Sequence, residues 1–317
     1  MSMRFSVPDP SGPFALLFPG QGAQHVSMLG PFRGASGFDR HYQGICNLLG
    51  ADPLAEAQKH PEFINQNAVS SLLAVLASVL ALELMRETAT GSRPIAAAGY
   101  SVGQWTALCA AGAISVEDLF RIVHERARLM DVCIKKSENS GMLAVIGVRS
   151  TDVLAVCEEA VAAGLFLQIT NDNAPNQFTL GGVEKGLQFA EERLMSLTPK
   201  RLQRVPVAGA WHSELLGGAV EPLSEFLKTF ELKPMRIPVI DNTTGDWLPE
   251  SETALRDALA RHVASPVLWR QGVQKLAESG AVALVEVGYG DVLTKYGFFI
   301  NRSLRHIAST PPPRAAS

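Results

Sequence analysis

The stretch Gly99-Tyr100-Ser101-Val102-Gly103 constrains the fold of this chain more than any other, because it predicts a tight turn between two regular elements. The apolar run before it, 93–98, is typical of a strand, and the run after it, 105–112, is rich in helix formers. Glycines allow a sharp turn and a close approach of strand and helix. The pattern indicates a nucleophile elbow, although an ordinary glycine-rich turn has the same letters.

The composition excludes several classes of protein. The chain has 317 residues, 47% of them hydrophobic, and a net charge of −3, which argues against a dedicated nucleic-acid binder. The four cysteines are scattered without a CxxC spacing, which favours reduced thiols in a cytoplasmic protein. The seven histidines show no paired-ligand spacing, so we expect no metal site.

No segment is typical of a signal peptide or a membrane span. The first thirteen residues lack the apolar core of a signal peptide. The longest apolar run, 72–85, contains a serine and a glutamate and is too short to cross a bilayer, so it predicts a buried helix. We therefore expect no membrane partner.

The first predicted strand, Phe14–Phe18, runs directly into the loop Pro19-Gly-Gln-Gly-Ala-Gln24. Ligand sites of α/β proteins gather at the carboxyl ends of such strands. The glycines on either side of Gln21 permit close backbone approach to a ligand, and we expect the Gln21 amide to point inward.

Residues 141–207 predict a separate small domain. Strands at 141–148, 165–170, 177–182 and 201–207 alternate with helices at 152–163 and 186–197. This β-α-β-β-α-β order is that of a ferredoxin-like unit.

The predicted fold class is therefore α/β, with a large domain and an inserted ferredoxin-like small domain. The expected bounds are 14–138 and 208–306 for the discontinuous large domain, and 139–207 for the small one. The segments 1–13 and 307–317 are expected to be flexible termini.

A serine hydroxyl needs a base before it can act as a nucleophile. His212, 111 residues after Ser101, is the candidate base, and His25 is its only rival. No acidic residue stands at an obvious third position, although Asp291 and Glu286 are candidates. Since a backbone carbonyl can also hold the imidazole tautomer, we expect a Ser–His dyad.

An oxyanion hole needs two donors. Elbow geometry makes the backbone N–H of Val102 one of them, and the backbone N–H of Gln21 is the candidate for the other.

Taken together, these motifs resemble the malonyl-CoA:acyl-carrier-protein transacylases, the acyltransferases of fatty-acid and polyketide synthesis. The resemblance covers about residues 14–305. It is carried by five features in order: Phe18-Pro-Gly-Gln-Gly-Ala-Gln24, Gly99-x-Ser101-x-Gly103, Arg126 placed 25 residues after the serine, Gly209-Ala-Trp-His212 and Glu286-Val-Gly288.

The resemblance implies that the large domain is α/β-hydrolase-like. It also implies a ping-pong reaction without a bound cofactor. Malonyl-CoA acylates Ser101, and the phosphopantetheine thiol of an acyl carrier protein removes the malonyl group. Arg126 is then the partner of the malonyl carboxylate, for which its planar fork is suited. The family pattern also implies that four more residues lie near the substrate: Gln66, Tyr100, Asn173 and Trp211.

Tyr100 and Gln104 depart from the histidine and glutamate that the family usually carries at these positions. Trp211 stands where malonyl-selective members have phenylalanine, and its bulk is expected to crowd an α-methyl branch, an effect worth about 1–3 kcal/mol.

Other functions stay open at this point. An acyl hydrolase would clear acyl groups from carriers, a malonyl transferase subunit would serve a malonate decarboxylase, and a non-enzymatic docking subunit would carry a dead site. A basic patch of Lys200, Arg201 and Arg204, or of Arg302 and Arg305, is a candidate surface for an acidic carrier. A monomer is the expected state.

Overall fold

A four-stranded parallel sheet forms the centre of the large domain. The computed structural model describes residues 10–88, 93–136 and 139–310. The strands span Phe14–Phe18 (β1), Ala96–Gly99 (β2), Ala283–Glu286 (β7) and Arg305–Ala308 (β8). The strand order is β2-β1-β7-β8, with every neighbouring pair parallel.

Helices cover both faces of this sheet. They span Phe38–Leu49 (α1), Pro53–Lys59 (α2), Asn67–Thr88 (α3), Gly103–Ala110 (α4), Val116–Ile134 (α5), Gly217–Leu227 (α8), Glu252–Arg261 (α9), Trp269–Glu278 (α10) and Val292–Ile300 (α11). By length and composition α3 resembles a membrane span, but 78% of its apolar window is buried inside the protein. The apolar run at 72–85 thus lies in a core helix, where Leu72 and Leu80 are fully buried.

The second sheet is antiparallel, and two helices pack on it. Its elements span Ser140–Ile146 (β3), Ser150–Ala162 (α6), Leu167–Ala174 (β4), Gln177–Val183 (β5), Glu184–Met195 (α7) and Arg201–Val205 (β6). The strand order is β4-β5-β3-β6. A core of its own lies between sheet and helices, centred on Leu143, Leu180 and Leu187. The predicted α/β class with a large and a small unit is confirmed.

Strand β4 is joined to the large domain beside the site. The backbone N–H of Asp172 donates to the carbonyl of Val267, and the N–H of Val267 donates to the carbonyl of Thr170. The Asp172 carboxylate also accepts two hydrogen bonds from the Arg270 guanidinium, the shorter of 2.7 Å. These bonds hold one edge of the small sheet against the loop before α10.

Three details differ from the expectations. Residues 237–241, a mostly apolar run that predicts a strand, make two isolated bridges, Val239 with Ala97 and Ile240 with Trp247. The stretch Gly209-Ala-Trp-His-Ser213 predicts the start of a helix, but the helix begins at Gly217, after a short 3-10 turn. The flexible C-terminal segment expected at 307–317 is wrong in its first residues, because β8 pairs with β7 through Ala308 and Thr310 is buried. Residues 1–9 and 311–317 lie outside the described residues.

Candidate active site

The turn between β2 and α4 places Ser101 in a strained backbone conformation with φ of 52°. A Cβ atom on Gly99 would overlap the backbone of Gly103, and one on Gly103 would overlap the carbonyl of Phe18 at the end of β1. Both positions therefore require glycine. The strain lifts the Ser101 side chain out of the turn, which is the geometry of a nucleophile elbow.

Ser101 lies within hydrogen-bonding distance of His212. The serine hydroxyl oxygen is 2.7 Å from His212 Nε2, and His212 Nδ1 donates to the backbone carbonyl of His262 at 3.0 Å. A carbonyl accepts only, so the proton sits on Nδ1 and Nε2 is free to accept the serine proton.

The other candidates for these roles lie elsewhere. The Glu286 carboxylate accepts the backbone N–H groups of Leu293 and Thr294 at the start of α11, and Asp291 pairs with Lys295. His25 is exposed and bonds Ser27. Neither acidic residue is the partner of His212, so a carbonyl takes the place of the third member of a triad.

The environment of His212 disfavours its protonated form. Its side chain is buried, and burial, assisted by the positive charge of Arg126, lowers its pKa to about 3. The imidazole is therefore neutral at physiological pH. A neutral imidazole is the form that a general base requires.

This low pKa predicts an unusual pH dependence. Because His212 stays neutral down to about pH 3, the kcat/KM of Ser101 acylation should stay flat from pH 8 to about pH 5. In the unfolded chain a histidine binds a proton below about pH 6.5. The unfolded state then holds more protons, so the free energy of unfolding should fall as the pH falls from 6.5 towards 3, by at most about 1.4 kcal/mol per pH unit for this group.

Stopped-flow acylation and urea unfolding across this pH range measure both effects. A His212→Gln variant is the control, because it should show a shallower loss of stability with falling pH. An acid limb of the acylation rate centred near pH 6.5 would contradict the prediction.

The loop after β1 supplies the other half of the candidate oxyanion hole. Contrary to expectation, the Gln21 side-chain amide does not point into the site. It donates to Ser70 Oγ at 2.6 Å and to Asn67 Oδ1 at 3.0 Å, which anchors the loop on the start of α3. This anchoring leaves the backbone N–H of Gln21, with that of Val102 at the start of α4, as the candidate donors.

Two adjoining cavities lead to Ser101. The inner one, of about 290 Å³, is lined by Ser101, His212 and Tyr100. The outer one, of about 1060 Å³, lies between the two domains. Both share five lining residues: Gln21, Gly22, Val205, Val207 and Trp211. Gln66 is exposed and lines the outer cavity, so it is not part of the inner pocket around Ser101.

Arg126 is completely buried on α5, and none of its guanidinium nitrogens has a hydrogen-bond partner among the described residues. Burial lowers its pKa to about 10, so the group stays charged at neutral pH. An unpaired buried charge costs several kcal/mol. A ligand of opposite charge that pairs with Arg126 would offset this cost.

Tyr100 and Asn173 contact each other between the elbow and the small domain. The Tyr100 hydroxyl donates to Asn173 Oδ1 at 2.6 Å, and Asn173 Nδ2 donates to Thr179 Oγ1. The Tyr100 ring packs edge-on against Trp269 at 5.6 Å. These contacts fix the Tyr100 side chain in the wall of the inner cavity. Asn173 contacts this wall through the Tyr100 hydroxyl.

Asn242, which belongs to none of the sequence motifs, braces the elbow. Its side chain accepts the N–H of Ser101 at 2.8 Å and donates to the carbonyl of Gly99 at 2.7 Å. Its own N–H donates to Gln104 Oε1 at 2.7 Å. Gln104 thus accepts a backbone hydrogen bond at the position where the family usually has glutamate. The only sign of this residue in the sequence is the polar pair Asp241-Asn242 at the end of the otherwise apolar stretch 237–242.

Replacing Asn242 by alanine should loosen the elbow. The change removes two buried side-chain hydrogen bonds and leaves the Gly99 carbonyl and the Ser101 N–H unpaired, which should lower the free energy of unfolding by about 2–4 kcal/mol. Ser101 acylation should slow as well. Urea unfolding and acylation kinetics measure the two losses, with exposed Asn47→Ala as the matched control. Unchanged stability would show that Asn242 does not brace the turn.

Known proteins resemble this chain in sequence and in fold. The family described as acyl transferase domain matches residues 57–302. The malonyl CoA-acyl carrier protein transacylase of Bacillus subtilis (strain 168) is 30% identical over 303 residues, or 94% of this chain and 93% of that protein.

Two solved structures superpose with a TM-score of 0.87. The acyl-carrier-protein S-malonyltransferase of Burkholderia pseudomallei 1710b is 31% identical and covers 95% of this chain and 97% of its own. A malonyl-transacylase in complex with its type II PKS acyl-carrier protein is 29% identical and covers 95% and 96%. The resemblance found in the motifs is confirmed, and the chain belongs to the acyl transferase family, among the malonyl-CoA:acyl-carrier-protein transacylases.

Proposed function

We propose that this protein transfers a malonyl group from malonyl-CoA to the phosphopantetheine thiol of an acyl carrier protein, by a ping-pong reaction through Ser101. The observation that carries the proposal is the 2.7 Å contact of the Ser101 hydroxyl with the neutral base His212, at an elbow beside a cavity. Family membership supports the same reaction.

In the first half-reaction Ser101 Oγ attacks the thioester carbonyl while His212 Nε2 takes its proton. Negative charge develops on the carbonyl oxygen, which the N–H groups of Gln21 and Val102 stabilise; losing one such donor typically costs about 10²–10³ in rate. The C–S bond then breaks, the coenzyme A thiolate takes the proton from His212, and malonyl-Ser101 remains.

The second half-reaction reverses these steps with the carrier thiol as nucleophile. His212 takes the thiol proton, the thiolate attacks malonyl-Ser101, and the serine leaves with the proton that His212 returns. The outer cavity opens onto the inner one along a shared wall, which accommodates a long pantetheine arm reaching Ser101 from the domain cleft.

The acyl group is dicarboxylic because Arg126 requires an anion. A malonyl carboxylate brings one negative charge to the unpaired guanidinium, whereas an acetyl group would leave it unpaired. The positive charge of Arg126 also lowers the pKa of His212. Arg126 is accordingly the proposed partner of the malonyl carboxylate.

Intact-protein mass spectrometry tests the function. We expect a malonyl adduct with malonyl-CoA, less or none with methylmalonyl-CoA and acetyl-CoA, and transfer of the adduct to holo carrier protein in a chase. An adduct lost to water equally fast without carrier would favour the acyl hydrolase. Absence of any adduct would favour a subunit with a dead site.

The surface for the carrier protein is proposed at Lys200 and Arg201, which are exposed at the start of β6. Arg204, expected in the same patch, is instead held by Glu184 and Glu191. The second candidate patch is also engaged, since Arg302 lies over the Phe298 ring and Arg305 donates to the Ser11 carbonyl.

Reversing both charges, in Lys200→Glu with Arg201→Glu, should raise the KM for the carrier about 10-fold or more and leave the KM for malonyl-CoA unchanged. Carrier proteins are usually acidic, so the reversed charges would repel them. Steady-state kinetics with each substrate measure the effect, and exposed Lys233→Glu is the control. Equal effects on both substrates would contradict carrier docking at this surface.

The protein is further proposed to act as a monomer in the cytoplasm, in fatty-acid or polyketide synthesis. All four cysteines are free thiols, which suits a reducing compartment. The carrier complex of the type II PKS relative supports a discrete transacylase that docks a separate carrier.

A further inference from the structure

The side chain of His262 is a second unpaired polar group beside the active site. It is 0% exposed, and neither ring nitrogen has a hydrogen-bond partner among the described residues. Its backbone carbonyl accepts the Nδ1 proton of His212, and the two imidazole rings lie 5.0 Å apart. The catalytic role of His262 thus far belongs to its backbone, and its ring has no function assigned.

His262 shares its surroundings with Arg126. Arg126, His212 and His262 are all buried, and the charge of Arg126 lowers the pKa of both histidines. Arg126 and His262 together present five nitrogens without a hydrogen-bond partner in the described part of the chain. The buried carboxylate of Glu286 is occupied by the N-terminus of α11.

These five buried nitrogens without a hydrogen-bond partner lower the stability of the fold. An unsatisfied buried polar group costs about 1–3 kcal/mol, and native proteins retain few of them without a functional reason. Burial and the two neighbouring groups hold the pKa of His262 well below its usual value, so its ring is neutral and offers one N–H donor. A carboxylate has about four lone-pair sites, of which a bidentate guanidinium uses two.

We propose that the imidazole of His262 donates a hydrogen bond to the free carboxylate of the acyl group and, with Arg126, determines the preference for a dicarboxylic acyl unit. This inference rests on the proposed malonyl transfer. It assigns Arg126 the charge and His262 a directional donor that an acetyl group cannot use. The backbone carbonyl of His262 keeps its separate task of holding the His212 tautomer.

Two substitutions separate the ring from the backbone, because both retain the carbonyl that His212 needs. His262→Leu removes the donor with an apolar side chain, and His262→Gln keeps an N–H donor. The kcat/KM of Ser101 acylation is measured with malonyl-CoA and with acetyl-CoA. His262→Leu should lose about 10- to 100-fold with malonyl-CoA and less than about 3-fold with acetyl-CoA. His262→Gln should stay within about 5-fold of the wild type with both donors.

Loss of stability in His262→Leu does not complicate the comparison of malonyl-CoA with acetyl-CoA. His262→Leu removes two unpaired polar atoms from the core, so its melting temperature should not fall. Equal losses with both acyl donors would show that the ring only positions His212, and no loss with either donor would show that it only fills space. Either result overturns the proposal.

A binding measurement tests the same idea without acyl transfer. Malonate should raise the melting temperature of the wild type more than chloride does at equal ionic strength, and this rise should shrink in His262→Leu. An equal rise in both proteins overturns the proposal even if the wild type forms no malonyl adduct. Absence of the adduct alone would overturn only the proposed function.

Discussion

Replacing Ser101 by alanine is expected to abolish the malonyl adduct and to lower malonyl transfer by at least about 10⁴-fold. The change removes the hydroxyl oxygen that lies 2.7 Å from His212 Nε2, so no acyl-enzyme can form at this position. The residual rate would come from binding and from the oxyanion donors. Intact mass after mixing with malonyl-CoA measures the adduct, and transfer to holo carrier protein measures the rate.

A matched control uses another serine. Ser196 is exposed at the end of α7 and donates only to the carbonyl of Arg193, so Ser196→Ala should retain full labelling and transfer. Both variants should unfold at the temperature of the wild type, because neither removes buried apolar contacts. Persistent labelling of Ser101→Ala at the expected mass would place the nucleophile at another residue.

Replacing Arg126 by methionine is expected to separate activity from stability. The kcat/KM for malonyl-CoA should fall by about 10²- to 10³-fold, because a buried carboxylate would lose its charge partner. The value for acetyl-CoA should change little or rise. The melting temperature should not fall, since an unpaired buried charge is replaced by an apolar side chain of similar length.

The same variant has a second readout and a control on its own helix. Removing the charge of Arg126 should raise the pKa of His212, which moves the acid limb of the pH profile upward. Arg121 lies five residues earlier on α5, is exposed and pairs with Asp118, so Arg121→Met should leave the kinetics unchanged. Unchanged malonyl-CoA kinetics in Arg126→Met would exclude it from the pocket, and a lower melting temperature would contradict the cost assigned to its charge.

Short-range patterns in the chain were sufficient for the fold class. The strand, turn and helix around Ser101 follow from a dozen neighbouring residues, and the β-α-β-β-α-β order of the small domain follows from alternating apolar runs and turn residues. The expectations failed at 237–241, where apolar residues pack in the core without a ladder, and at 307–310, where distant β7 supplies the pairing. The division into domains and the roles of the site residues stay predictions.

The sequence by itself determined the elbow, the α/β class and the family, because a turn between two glycines and the periods of strands and helices are local properties. Only the tertiary structure decided the partners of the site. The carbonyl of His262 reaches His212 from 50 residues away, and Asn242 reaches the Ser101 N–H from 141 residues away. Hydrogen bonds, burial and charge pairing over such separations depend on which elements pack together, so an isolated charge such as Arg126 becomes visible only when the core is closed around it.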